Sequence, residues 1–78
     1  MDNLLETVAL IRRQSELQIR LQNSRGTAVA TERELEATRR RLANHPHALN
    51  AVLQTAQALR RPPETISASE VEEWECSN

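Results

Sequence analysis

Punctuation constrains this chain more than anything else in it. Prolines stand only at positions 46, 62 and 63, and the one glycine is Gly26. Between these marks the apolar residues return at helical spacing, and no stretch alternates apolar and polar residues for long enough to make a useful strand. The spacing predicts helices over about 3–22, 28–43 and 46–61, and a shorter one over about 68–75. The expected fold is all-α: a small helical hairpin or bundle of two or three helices with a short acidic C-terminal helix or tail.

Residues 3–22 contain neither glycine nor proline and are rich in good helix formers. At 100° per residue, Leu4, Val8, Ile11 and Ile19 fall in one sector of about 80°, and Leu10, Leu17 and Leu21 fall in another roughly 200° away. A helix with two apolar stripes has two neighbours. One is expected to be its own chain, and the other, met by Leu10, Leu17 and Leu21, another molecule. Asn23-Ser24-Arg25-Gly26 is the candidate turn, because glycine takes the left-handed conformation that ends helices. Thr31-Glu32-Arg33-Glu34 then matches a capping box. The competing reading is one long helix over 3–43, since Leu21, Ala28, Leu35 and Leu42 recur every seven residues. The positions between them, Ser24, Thr31 and Thr38, are polar.

Asn44-His45-Pro46-His47 opens the next segment, with Asn44 as the expected cap and Pro46 in a first turn, where its missing N–H is not needed. Ala48, Leu49, Val52, Leu53, Ala56 and Leu59 then occupy about 140° of a helix, and Pro62-Pro63 stops it. The short connection at Pro46 predicts that 46–61 folds back on 28–43 as an antiparallel hairpin. Beyond the prolines, Ser67-Ala68-Ser69-Glu70 is a second capping box, followed by Val71 and Trp74 at i, i+3 spacing.

Charge divides the chain at the same place. Residues 1–61 hold all ten arginines against six carboxylates, a net of +4; residues 62–78 hold five glutamates and no base, a net of −5. The expected organisation is a basic helical body over 1–61 and a proline-bounded acidic tail over 62–78. The core is small: ten Leu, four Val and three Ile serve 78 residues. Chains of this size commonly add a disulfide, a metal or a partner. Cys76 alone excludes an intrachain disulfide and is too little for a thiolate zinc site, which leaves a partner: another copy or a different protein.

Trp74 is the only aromatic residue. Tryptophan buries a large rigid surface at low entropic cost and is enriched at interface hot spots. With Val71 on its face and Glu70, Glu72, Glu73 and Glu75 around it, 67–76 reads as a helix-in-groove ligand for a basic cleft. The other reading has Trp74 fold back over the chain's own core. The expected partner-binding residues are therefore Leu10, Leu17, Leu21, Val71 and Trp74. Arg39-Arg40-Arg41 with Arg60-Arg61 could engage phosphates, yet no aromatic stands among them and i, i+4 pairs such as Glu36 to Arg40 offset them, so nucleic acid is not the expected ligand. His45 and His47 lack a third ligand and read as surface turn residues. No catalytic, cofactor-binding or metal-binding constellation stands out, and neither a cofactor nor a small-molecule substrate is expected. The opening Met1-Asp2-Asn3 and the charges at Glu6, Arg12 and Arg13 do not suit a secretory leader, and no run of about 20 apolar residues could span a membrane. With a free cysteine, the expected location is cytoplasmic.

These features point to a non-enzymatic helical interaction module, an adaptor, small chaperone or regulator that completes its core with a partner or by self-association. The layout Leu35…Leu42, the turn at Asn44-His45-Pro46, then Ala48-Leu49…Leu53…Ala56…Leu59 resembles the helical hairpins of type III secretion needle subunits and their small co-chaperones. The resemblance spans about half the chain, and it implies a hairpin closed at Pro46 that assembles with other copies. The aromatic positions such subunits often show after the turn are absent. A small Arg-rich nucleic-acid-binding regulator, phage- or plasmid-borne, with its acidic tail competing for its own basic face, is the alternative from another class.

Overall fold

The computed structural model describes residues 2–23 and 28–77. They form four α-helices: α1 (Leu4–Asn23), α2 (Ala28–Ala43), α3 (Pro46–Leu59) and α4 (Ala68–Ser77). A 3₁₀ turn, Pro63–Thr65, links α3 to α4, and the described residues contain no strand. The chain is all-α, as its spacing predicts.

Several helix ends have a chemical reason. Asn3 caps α1: its Oδ1 accepts the Glu6 N–H at 3.0 Å. The end of α3 is a Schellman turn, in which the Arg60 N–H donates to Gln57 O and the Arg61 N–H to Ala56 O. Arg60 sits there in the left-handed region (φ 55°, ψ 45°), a place glycine would take more cheaply. The Ser67 box forms as expected: the Glu70 N–H donates to Ser67 Oγ (3.2 Å) and the Ser67 N–H to Glu70 Oε1 (3.1 Å). Two expected caps differ. Thr31 lies inside the first turn of α2, which begins three residues earlier, and Glu34 pairs with Arg13. Asn44 does not cap α3; Asp2 does so from across the fold, its Oδ2 accepting the Ala48 N–H at 2.7 Å.

α1 and α2 run antiparallel. Arg13 meets Glu34 and Arg41 meets Glu6, each at 2.9 Å, and the Asn3 N–H reaches His45 Nδ1 at 3.1 Å. A single helix over 3–43 would place Glu6 and Arg41 about 50 Å apart, so it is excluded. The proposed turn at Gly26 lies outside the described residues. The antiparallel pairing sets the buried side chains of α1 (Thr7, Leu10 and Leu17) toward those of α2 (Thr31, Leu35, Thr38 and Leu42). The buried hydroxyls of Thr7 and Thr38 on this seam, and of Thr55 on α3, donate to carbonyls four residues back, at 2.7–2.8 Å, so each is satisfied within its own helix turn.

The expected hairpin of α2 and α3 does not form. α3 meets α2 sparsely and packs chiefly on α4, on α1 and on the 3₁₀ turn. The reason is the shape of α2's apolar surface. Its buried positions, Thr31, Leu35, Thr38 and Leu42, make one narrow stripe already taken by α1, and Glu32, Arg33, Glu36, Arg39 and Arg40 are exposed. α1 owns the second stripe. Val8 and Ile11, with Leu4 beside them, join Leu10, Leu42, Val52, Ala56, Ile66 and Val71 in one core. Ile66 and Val71 are fully buried there, so residues beyond Pro62-Pro63 supply part of the interior.

His45 is likewise not the surface turn residue its neighbours suggest. It is buried, accepting the Asn3 N–H at Nδ1 while Nε2 stands 3.2 Å from Glu6 Oε2. An accepting Nδ1 places the ring proton on Nε2, where it can donate to Glu6. Together with the Asp2 cap this ties the start of α1 to the turn between α2 and α3.

Candidate protein-interaction groove

Five residues were expected to meet a partner, and the fold separates them. Leu10 and Leu17 are buried on the α2 side of α1, and Leu17 has no exposed surface at all. Leu21 is half-buried further along that seam. Val71 is fully buried in the core. Leu10, Leu17 and Val71 are therefore internal contacts of the single chain. The error lies in assigning the Leu10–Leu17 stripe of α1 to another molecule, when α2 takes it; Val8 and Ile11 of the other stripe join the core with α3 and the residues beyond it, and Ile19 is left exposed. Only Trp74 stands at a surface with a cleft beside it.

That cleft is an open groove of about 830 Å³ lined by Leu59 from α3 and by Glu70, Glu72, Glu73, Trp74 and Cys76 among the residues of α4. Leu59 continues the inward stripe of Ala48, Val52 and Ala56, but it is the last residue of α3, and the chain turns away behind it. It is left 43% exposed. Trp74 is half-buried at the same groove, with Val71 anchoring its helix from beneath. Leu59 was visible in the sequence as the end of an amphipathic stripe; its partnership with Trp74 was not, because it depends on how α4 folds back.

Electrostatics around the groove are one-sided. Arg61 holds Glu70 through both guanidinium nitrogens, and its Nη2 also donates to Thr65 O at 2.6 Å. The Ser67 amide above all, then Arg61, hold the Glu70 carboxyl below the usual carboxylate range. Glu72 and Glu73 on the groove, and Glu75 beyond it, are exposed and form no ion pair with the described residues. Among the described residues, no arginine lines the groove. Elsewhere the arginines partly answer to the body's own acids, as in Arg13 with Glu16 and Glu34 and Arg40 with Glu36. Arg12, Arg20, Arg33 and Arg39 are exposed and have no such partner among the described residues.

The described residues hold no group of three or more potential metal ligands, and no described helix is long and apolar enough to cross a membrane. Cys76 is exposed. No protein-family model matches the chain, and no curated protein and no solved structure is significantly similar to it.

Proposed function

We propose that this chain is a non-enzymatic helical interaction module, of the adaptor, small-chaperone or regulator kind, and that its working surface is the Leu59–Trp74 groove. The carrying observation is a leucine 43% exposed beside a half-buried tryptophan, on a helix whose own anchor, Val71, is fully buried. Such a site is apolar at its floor and polar at its rim, the anatomy of a hot spot. A needle-like assembly draws no support from the packing, because the hairpin at Pro46 on which that resemblance rests is replaced by one between α1 and α2. Quantitative affinity capture from the native cytosol, with the wild type, Leu59→Ser and Trp74→Ala side by side, tests the proposal. Both variants are expected to lose a protein that the wild type retains. Identical retention by all three would contradict it.

A further inference from the structure

The geometry points to a basic amphipathic helix as the occupant of the Leu59–Trp74 groove, docking its apolar face on these two side chains and setting arginines or lysines against Glu72 and Glu73. This rests on the reading of the groove as an interaction site and adds the chemistry of the partner. Two observations carry it. The apolar floor is short, one leucine and one tryptophan, so a single apolar face of a helix covers it. The rim carries one sign only: Glu70 is already satisfied by Arg61 and Ser67, whereas Glu72 and Glu73 line the groove without a counter-charge among the described residues. A second copy meeting the first through the same groove about a two-fold axis would bring α4 against α4, and glutamates against glutamates. Like charges brought together are disfavoured, so the groove selects against that dimer and for a cationic partner.

The test uses the full chain and three synthetic peptides. One is an amphipathic helix with leucines at i, i+3, i+4 and i+7 and arginines on its flanks; one carries glutamates in place of the arginines; one has the arginine composition scrambled so that no apolar face forms. Trp74, the only tryptophan, reports binding through its emission. The arginine helix is expected to bind saturably and to shift the emission, with affinity falling as salt is raised, and the other two are expected not to bind. Glu72→Gln with Glu73→Gln, both exposed and outside the core, is expected to weaken the arginine helix about five- to ten-fold at low salt. Equal binding of the glutamate helix, lost in Leu59→Ser, would overturn the cationic partner while leaving the groove reading in place. Equal binding of the scrambled peptide would overturn the docking and leave only charge attraction. No binding by any peptide, or a chain that sediments as a dimer broken by Leu59→Ser, would overturn the inference outright.

Discussion

Four side chains carry consequences out of proportion to their size. Arg60 holds a left-handed conformation at the end of α3, which costs a non-glycine residue about 1–2 kcal/mol. Arg60→Gly is therefore expected to stabilise the chain by about 1 kcal/mol in urea unfolding, and Arg60→Ala to give no such gain. His45 accepts a main-chain N–H from Asn3, and His45→Leu, which leaves that donor without its partner, is expected to cost about 1–3 kcal/mol. Asp2 and Glu70 share a pH signature. The Ala48 amide is the largest cause holding Asp2 below its ordinary range, and the Ser67 amide plays that role for Glu70. Both groups bind protons more weakly folded than unfolded, so their contribution is present above the ordinary carboxylate range and lost as pH falls through the depressed values. Acid titration of stability should show this loss, and Asp2→Asn with Glu70→Gln should flatten it. Of these residues, only the Ser67–Glu70 box was legible in advance, because a cap of this kind is written within four consecutive positions. The Asp2 cap joins residues 46 apart and the His45 bond residues 42 apart, and no local pattern records such a meeting.

At the scale of elements, the helices themselves were readable, and their pairing was not. Periodicity marks a stripe without saying what covers it. Leu10 and Leu17 on one side of α1, and Val8 and Ile11 on the other, show this: both stripes were visible, and each could have faced another molecule. What settles their destinations is α2, whose single narrow stripe has room for one neighbour. Ile66, just after the 3₁₀ turn, and Val71 of α4 then close over Val8 and Ile11 of the second stripe. Truncating Ile66 and Leu59 to alanine tests that arrangement. Ile66→Ala is expected to cost about 2–4 kcal/mol, whereas Leu59→Ala, at a site nearly half exposed, should cost about 1 kcal/mol or less. Equal costs would mean that Leu59 is core rather than groove floor. The Trp74 site was legible in half: its residue type and acidic surroundings were plain in the sequence, but Leu59 enters only when α4 folds back beside the end of α3.

The whole molecule is a thin plate, 46 × 27 × 14 Å across its Cα positions, no more than two helices deep. A plate this thin buries little, which is why nearly every helix keeps a face on solvent and why a single leucine at a helix end can become a binding surface. The change of charge at Pro62-Pro63 suggested a body and a tail. The packing instead makes residues on both sides of the prolines share one core, with the acidic surface of α4 turned outward. Native-state hydrogen exchange tests this claim most directly. The amides of α4 around Val71 and Trp74 are expected to open with α1 and α3 in one cooperative unit, protected to a similar free energy as those around Val8 and Val52. Exchange of the α4 amides at unfolded-chain rates, while α1 and α3 stay protected, would contradict it and return residues 62–78 to the status of a detached tail.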